Sequence, residues 1–466
     1  MTLGWGWFAL FFAVPWAVPQ DPTPPTQTEI DKAIDRGAAC LKKLQAADGS
    51  WAMGLTDLPS HRFKATMGPQ VIGHTALMAL TLLHADVDPD DPSIARALQF
   101  LVSRRAEYAH TYNCGIALMA LDAFVEKKVA KLRRAPPTAE NPPPKDKPEY
   151  FAKLPEEQRK FAVEITLRLV FAQLKDGSWT YAAATGELGE MGTGVRPKPG
   201  EGGFQPPTAP DIGGDLSNTQ YALLGLRASS ELGIAFDPDV WINSMKCLLE
   251  RQERKIAPKI PGFHVPVAAE SLWGDAKPGD RNKTEVSGSR KQFVPRGWGY
   301  TTEKARPESY GAMTAIGVAA LSICKQYVRR MKEVSPAVRD RVDRAIEDGC
   351  SWLAVNFNVL DNAPWKDATT GYKRSDGKID GYHMYSIERA GMLAGVKLFG
   401  VHDWYGVGAR YLVDKQAADG SWAAEMFYEP KPTISTAFAV LFLKRATKPV
   451  IIETGDGRPP AKEPPK

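Results

Sequence analysis

The sequence predicts an all-α fold built from repeated pairs of helices. The same helix end and turn occurs at residues 37–51, 171–179 and 408–422. Segments that are amphipathic at helical spacing alternate with segments that are apolar nearly all round, which is typical of exposed and buried helices respectively. Because the copies lie near the start, the middle and the end of the 466 residues, they favour one repeat-built domain.

Each copy is interpreted as a helix end followed by a turn that a glutamine and a tryptophan hold against it. A glycine after the last turn is a usual helix stop. A glutamine amide can bond the free carbonyls of the helix end, and a tryptophan can pack its ring over the junction and donate its one N–H. The glutamine stands six positions before the tryptophan in the pairs Gln45 with Trp51, Gln173 with Trp179, and Gln416 with Trp422.

A fourth copy is expected at Trp298, within the segment G-W-G-Y at residues 297–300. Its glutamine would be Gln252, moved far upstream by an insertion. An insertion of this length in a compact domain is usually functional or disordered.

The copy at residues 408–422 fits the pattern G-x-x-[aromatic]-L-x-x-x-Q-x-x-x-G-x-W. It resembles the QW repeat of squalene–hopene and oxidosqualene cyclases, in the prenyltransferase/squalene oxidase repeat family, with a weaker form in protein prenyltransferase β subunits. The first copy departs from this pattern at Cys40, and the copy ending at Trp179 matches only its second half. The resemblance implies an α/α toroid, in which outer helices alternate with inner helices around a central cavity.

Segmentation gives twelve helices, which is what a closed toroid of six outer/inner pairs needs. The toroid is assigned to residues 29–446, and the tail at 447–466 is expected to be disordered. Three long insertions are expected at residues 127–155, 180–214 and 255–296.

The N-terminal segment indicates export. Residues 4–18 are apolar and a Pro-rich stretch follows them, so residues 1–18 are interpreted as a signal peptide and 19–28 as a linker. The protein would then be periplasmic or extracellular. An N-terminal membrane anchor is the alternative, although this run is shorter than the roughly 20 residues that span a bilayer. The mature chain is expected to have no transmembrane span.

Composition excludes some partners. The net charge of +5 comes from interspersed acidic and basic residues, which provide no stripe for nucleic acid. The five cysteines are widely spaced without a C-x-x-C pair, so buried free thiols are expected. Protein partners are left open.

Candidate site residues lie in the first turns of the inner helices. These would line the cavity mouth beside the turns that carry the letters G-S-W or G-W in each copy, here called the GSW turns. Asp215 also fits a helix N-cap, His74 a core histidine, and Glu388–Arg389 a structural ion pair. The catalytic candidates are Asp215, His383, Tyr385 and Glu388. The ligand-binding candidates are His74, Asn113, Asn218, Tyr310 and Arg389.

Two short patterns share letters with catalytic signatures of the resembling families. D-P-D-D at residues 88–91 matches the D-x-D-D acid motif of squalene–hopene cyclases, but it is expected at the end of the toroid opposite the GSW turns, with Asp91 as a helix cap. D-G-C at residues 348–350, with His383, matches the letters of the prenyltransferase zinc site, but it falls on an outer helix. No metal or other cofactor is therefore expected.

Three functions stay open. The favoured hypothesis is an exported repeat protein whose cavity binds an apolar, isoprenoid-like molecule without cyclase activity. The second is a polysaccharide lyase or hydrolase that uses inner-helix tyrosine, histidine and carboxylate groups. The third is a non-catalytic scaffold or binding protein.

Overall fold

The structure, a computed structural model, is almost entirely helical. Within the described residues it has 13 α-helices, one short 3-10 helix and one two-stranded sheet, which confirms the all-α class. The segment interpreted as a signal peptide and most of the insertions at 180–214 and 255–296 lie outside the described residues. These residues are 21–51, 70–134, 143–185, 214–254, 257–265, 291–301, 309–329, 331–360, 362, 380–423 and 432–448.

The helices are numbered in chain order. They are α1 (Gln27–Lys43), α2 (Gln70–His84), α3 (Pro92–Ser103), α4 (Thr111–Arg134), α5 (Lys147–Ala152), α6 (Glu156–Phe171), α7 (Leu216–Glu231), α8 (Asp239–Arg251), α9 (Gly311–Val328), α10 (Pro336–Val355), α11 (Gly381–Ala394), α12 (Trp404–Lys415) and α13 (Thr433–Lys444). Strands β1 (Ile260–Pro261) and β2 (Gln292–Phe293) pair antiparallel.

Six inner helices form a closed ring. Helices α2, α4, α7, α9, α11 and α13 each contact the next in this order, and α13 contacts α2. Helices α1, α3, α6, α8, α10 and α12 pack against the outside of the ring. The inner helices are apolar nearly all round because they are covered on both sides. The fold is therefore an α/α toroid of six outer/inner pairs, as predicted.

Helix α9 passes a test of length and apolar composition for crossing a membrane, the only described helix to do so. It is an inner helix of the ring, and most of its length is buried inside the protein. Its composition is therefore accounted for by its place between α7 and α11.

Local signals set the helix starts. Thr26 and Glu29 form a capping box, in which the Thr26 hydroxyl accepts from the Glu29 N–H and the Glu29 carboxylate accepts from the Thr26 N–H. Asp91 caps α3 and Ser335 caps α10, each directly before a proline in the first turn. Each cap satisfies N–H groups that have no partner inside the helix.

Helix α4 is longer than expected. It continues to Arg134, so the insertion expected from residue 127 begins as helix. The lysines of these last turns pair with the acidic loop after α2, for example Lys131 with Asp88 at 2.7 Å. Helix α5 is a further helical piece of the same insertion, and its Lys147 binds Asp122 of α4 at 2.6 Å.

The tryptophans of the four repeat turns each make the same two hydrogen bonds. Each indole N–H donates to a leucine carbonyl in its own outer helix: Trp51 to Leu41, Trp179 to Leu169, Trp298 to Leu248, and Trp422 to Leu412, at 2.7–2.8 Å. Each backbone N–H donates to a threonine hydroxyl of the following inner helix: Thr75, Thr219, Thr314 and Thr436, at 3.1–3.2 Å. The tryptophan thus joins each outer helix to the inner helix that follows it.

The four glutamines join consecutive outer helices. Each amide donates to a carbonyl of the next outer helix: Gln45 to Ser93, Gln173 to Val240, Gln252 to Ala345, and Gln416 to Ala33, at 2.8–3.0 Å. The sequence predicted that the glutamine would bond its own helix end and turn, and the link to the next helix is an addition. The contact from Gln416 closes the ring, because it joins α12 to α1.

The Trp298 turn has the bonds of the other copies despite its insertion. Gln252 donates to Arg296 O at 3.2 Å, and the Glu253 N–H donates to Gly297 O at 2.9 Å. The corresponding bonds at the first copy are Gln45 to Gly49 O and Ala46 N–H to Ser50 O. Strands β1 and β2 bring the two ends of the insertion together, which lets the chain leave and re-enter at one turn.

The seam between outer helices α3 and α6 has no glutamine link. A groove of about 720 Å³ lies there, with Leu98, Val102 and Phe124 among its lining residues. An ion pair between Arg105 and Glu157 at 3.1 Å bridges this seam instead.

Candidate functional site

A chain of hydroxyl groups crosses the interior of the ring. Tyr112 of α4 donates to Ser217 of α7 at 2.6 Å, and Ser217 contacts the hydroxyl of Tyr382 of α11. Helix α9 lies between α7 and α11 in the ring, so the last contact spans the central space. The chain of Tyr112, Ser217 and Tyr382, here called the hydroxyl bridge, marks the level of the first turns of the inner helices.

Arg389 lies about two turns further along α11 than Tyr382. Its guanidinium carbon is 4.1 Å from the ring centre of Tyr385 and 4.9 Å from that of Tyr221, distances at which a cation is attracted to an aromatic face. Its Nη2 donates to the Tyr221 hydroxyl at 3.3 Å. The ring of the catalytic candidate Tyr385 therefore packs against the buried guanidinium of Arg389. Burial raises the pKa of the Tyr385 hydroxyl well above its usual range.

Asp215 caps α7. Its Oδ1 accepts from the backbone N–H of Asn218 at 2.8 Å, and its Oδ2 accepts from the Asn218 side-chain amide at 2.7 Å. Burial raises the pKa of this carboxyl, while the bonds from Asn218 lower it. Both oxygens accept from Asn218, which is the capping role that the sequence left as the alternative. The ligand-binding candidate Asn218 is fully buried in that cap.

His383 faces a different side of α11 from the hydroxyl bridge. Its Nε2 bonds the carbonyl of Asn358 at 2.7 Å, and its ring lies against Gly311 at the start of α9. Successive helix residues differ by roughly 100° in direction, so His383 cannot point where Tyr382 points. The structure places His383 between α11 and its neighbours.

Glu388 is fully buried and binds a segment that follows the last helix. Its carboxylate accepts from the Thr447 N–H at 2.9 Å and from the Thr447 hydroxyl at 2.7 Å. Burial raises its pKa to about 7. Asp215 thus contacts its own helix start and His383 contacts Asn358, whereas Tyr385 and Glu388 share Thr447 as a hydrogen-bond partner.

Residues 446–448, here called the C-terminal strap, bridge several inner helices. Besides the Thr447 contacts with α11, the Lys448 carbonyl accepts from Arg227 of α7 at 2.9 Å, and the Lys448 ammonium pairs with Glu126 of α4. Thr447 and Lys448 were expected to belong to a disordered tail, and this expectation is wrong for these two residues. The remainder of that tail lies outside the described residues.

The other ligand-binding candidates divide by accessibility. His74 and Tyr310 are partly accessible, and burial lowers the pKa of His74 to about 4, so the imidazole is neutral. Asn113 is buried at the contact of α4 with α2, where a Cβ on Gly73 would be 2.4 Å from its Oδ1. The Asn113 side chain is therefore buried in the packing between two inner helices, whereas the side chains of His74 and Tyr310 keep some accessible surface.

A row of tyrosines extends from the surface to Arg389. Tyr181 is 51% exposed and its hydroxyl bonds that of Tyr300 at 2.9 Å. The ring of Tyr112 is 5.8 Å from that of Tyr181 and 4.9 Å from that of Tyr221. The sequence analysis did not single out Tyr181, Tyr221 and Tyr300. Tyr181 and Tyr300 each stand two positions after a repeat tryptophan, which is the signal that could have identified them.

The D-P-D-D segment at 88–91 is a capping loop. Asp91 accepts from the Ser93 N–H at 2.8 Å and pairs with Lys42 at 2.6 Å, and its pKa is lowered to about 2. The cap was predicted; the position opposite the GSW turns holds for Asp88 and Asp90, which pair with lysines in the last turns of α4, but not for Asp91. Asp91 lies beside the end of α1, because each glutamine-linked outer helix ends against the early part of the next. The pKa values of Asp88 and Asp90 are also lowered, by bonds to lysines.

The D-G-C segment at 348–350 is part of the fourth repeat turn. Asp348 accepts from the Arg296 guanidinium at 2.7 and 3.1 Å and from the Val294 N–H at 3.1 Å. Cys350 is fully buried, and burial raises the pKa of its thiol. All five cysteines are buried free thiols, as predicted.

Comparisons with known proteins give structural likeness only. No protein-family model and no curated protein matches this chain. Among solved structures, the type II terpene cyclase MstE from Scytonema in its apo form is 10% identical, with a TM-score of 0.41 over 90% of this chain and 99% of that chain. A variant of that cyclase in complex with its product merosterolic acid A is 11% identical, with a TM-score of 0.26 over 90% of this chain and 97% of that chain.

Proposed function

We propose that this toroid binds a small, largely apolar, isoprenoid-like molecule at the mouth of its ring, without cyclase chemistry. The carrying observation is the set of side chains that keep partial accessibility in the first two turns of the inner helices. Among the described residues, each member of this set is aliphatic, aromatic or neutral polar. The set is Val71 and His74 of α2, Tyr112 of α4, Tyr382 of α11, and Thr433 and Ile434 of α13.

Several of these side chains lie deep in the protein and yet remain partly accessible, which supports a cavity at the level of the first turns of the inner helices. Burial dominates the raised pKa values of Tyr112 and Tyr382 and the lowered pKa of His74, so these groups lie deep in the protein. All three nevertheless keep accessible surface. Groups that are both deep and accessible border enclosed space rather than the outer surface.

The lining suits an apolar molecule with one polar end. Tyrosine rings offer large apolar faces, and their hydroxyls can orient a polar group. A ligand that buries roughly 300 Å² of apolar surface would gain about 7 kcal/mol before the cost of association. His74 adds no charge at neutral pH, because its pKa is lowered to about 4.

The acidic residues support binding rather than acid-initiated cyclisation. A carboxyl group that donates a proton near neutral pH needs a raised pKa, whereas the pKa values of Asp88, Asp90 and Asp91 are lowered. Burial raises the pKa values of Asp215 and Glu388, but both carboxyls are buried and accept hydrogen bonds, from Asn218 and from Thr447 respectively. Glycoside hydrolysis needs two carboxyl groups on opposite sides of one bond, and Asp215 and Glu388 are each held by separate partners.

Export is part of the proposal and rests on the N-terminal segment of the sequence. N-terminal sequencing of protein secreted by a suitable host tests it. A mature N-terminus near residue 18 supports cleavage, and an intact Met1 on membrane-bound protein supports the anchor.

The test of binding is direct. We expect mass spectrometry of organic extracts from purified protein to find an isoprenoid, and geranylgeraniol to bind by calorimetry. Ile434→Trp fills the mouth and should weaken geranylgeraniol binding at least tenfold. Val401→Trp is the matched control, because Val401 is 70% exposed on the outside. Unchanged binding by Ile434→Trp, or binding of oligosaccharides in place of geranylgeraniol, contradicts the proposal.

A further inference from the structure

Arg389 is a buried cation without an anionic partner. Its exposure is 0%, and within the described part of the chain it forms no ion pair with a carboxylate. Nε donates to the Tyr385 carbonyl at 3.3 Å and Nη2 to the Tyr221 hydroxyl at 3.3 Å. Nη1 is buried and has no hydrogen-bond partner among the residues that the structure describes.

A buried guanidinium that lacks an anionic partner and a hydrogen-bond acceptor destabilises the folded state unless another group supplies them. A buried charge is stable in a protein when it is paired and its hydrogen bonds are made. The faces of Tyr221 and Tyr385 attract the guanidinium, but they supply no acceptor for Nη1. A further acceptor beside Nη1, above all an anion, would complete the hydrogen bonds of this guanidinium.

The neighbouring acids do not supply the anion. Both Glu388 oxygens accept from Thr447, and Glu388 lies one residue, or roughly 100°, around α11 from Arg389. Asp215 is held at the start of α7 by Asn218. Among the described residues, neither of these carboxylates pairs with Arg389, which leaves its charge open to a bound anion.

Further donors lie on the helix that faces Arg389. The Tyr221 hydroxyl accepts from Nη2, so its own proton is available for another acceptor. Gln220, the preceding residue, is fully buried, and no described residue forms a hydrogen bond with its amide nitrogen or oxygen. A cation, a hydroxyl and an unbonded amide are the donors that an anionic oxygen group requires.

We propose that Arg389 binds a single anionic group, a carboxylate or a phosphate monoester, at the end of the apolar ligand. This inference rests on the proposed function. Arg389 lies seven residues beyond Tyr382 on α11, which is roughly 10 Å along the helix. The ligand enters charged end first and separates Ser217 from Tyr382, whose contact otherwise crosses the central space, while its apolar remainder occupies the mouth.

The experiment compares three probes that share one tail: farnesol, farnesoic acid and farnesyl monophosphate. Binding to the full-length protein is measured by calorimetry. We expect at least one charged probe to bind 30-fold or more tightly than farnesol, and the two charged probes distinguish carboxylate from phosphate. In Arg389→Met this preference should be lost, while farnesol binding stays within about threefold, because the apolar contacts remain.

Two other variants complete the test. Arg410→Met removes an outer, surface-paired arginine and should leave all three affinities unchanged. Tyr221→Phe removes one hydroxyl and should weaken the charged probes by three- to tenfold without affecting farnesol, which keeps the test decisive if Arg389→Met does not fold.

The outcomes separate the two proposals. Equal binding of farnesol and both charged probes by the native protein overturns the role of Arg389 and leaves the proposed function standing. Loss of farnesol binding in Arg389→Met to the same degree as the charged probes also overturns it, because the arginine is then structural. Failure of all three probes to bind the native protein refutes both.

Discussion

Glu388 makes the stability of this protein depend on pH in a specific direction. The carboxyl group is fully buried, and burial raises its pKa from 4.5 to about 7. A group whose pKa is higher in the folded state than in the unfolded state binds more protons when folded. Its contribution to the free energy of unfolding is therefore complete below about pH 4.5 and is lost as pH rises through about 7.

The size of this effect follows from the two pKa values. A shift from 4.5 to about 7, at about 1.4 kcal/mol per unit, corresponds to about 3 kcal/mol. Glu388→Gln removes the titration and retains the shape of the side chain. We expect the difference in unfolding free energy, native minus variant, to fall by about 3 kcal/mol between pH 4.5 and pH 8.

The assay is urea unfolding of both proteins across this pH range. The unfolding free energy of the native protein alone reflects several titrating groups, because burial also lowers the pKa values of His74 and His84 from 6.5 to about 4. These histidines increase stability as pH rises from about 4 to 6.5, which opposes Glu388. The difference between native protein and variant cancels their contribution, since both proteins contain them.

An exposed carboxyl provides the control. Glu157 has a side-chain exposure of 67%, so Glu157→Gln makes the same substitution at the surface, and only the change that exceeds this control is assigned to Glu388. A flat difference for Glu388→Gln, or one that rises with pH, would refute the reasoning. It would mean that the two bonds from Thr447 hold the carboxylate ionised despite its burial.

Three further predictions concern the turn that closes the ring. Gln416→Leu removes the bonds to Ala33 O and Gly420 O and should cost about 1–3 kcal/mol in urea unfolding; a loss below about 0.3 kcal/mol would show that the closure does not depend on this amide. Gly420→Ala should cost about 2 kcal/mol or more, because φ is 89° and the added Cβ would be 2.4 Å from Arg36 O; an unchanged midpoint would contradict this. Thr436→Val leaves the Trp422 N–H without an acceptor and should cost about 1–3 kcal/mol, whereas Thr436→Ser should cost less. Equal losses in the two Thr436 variants would show that the methyl group, not the hydroxyl, matters.

The sequence by itself determined the helical class and the alternation of outer and inner helices. Both follow from local periodicity, because a helix covered on all sides needs apolar residues on all sides. The cap at Asp91 was also predictable, since it depends on residues within one turn. The D-G-C match at 348–350 was rejected on local grounds too, because the segment was expected on an outer helix, where the structure places it.

The composition of the site was decided by the tertiary structure. Tyr382 and His383 are adjacent in sequence, but they face different neighbours because one residue turns the side chain by roughly 100°. Tyr221 meets Arg389, and Thr447 meets Glu388, only because the ring closes and brings distant helices together. Sequence spacing carries no information about such contacts. The chain therefore specifies its helices locally, whereas ring closure and the rotation of each inner helix decide which side chains meet at the centre.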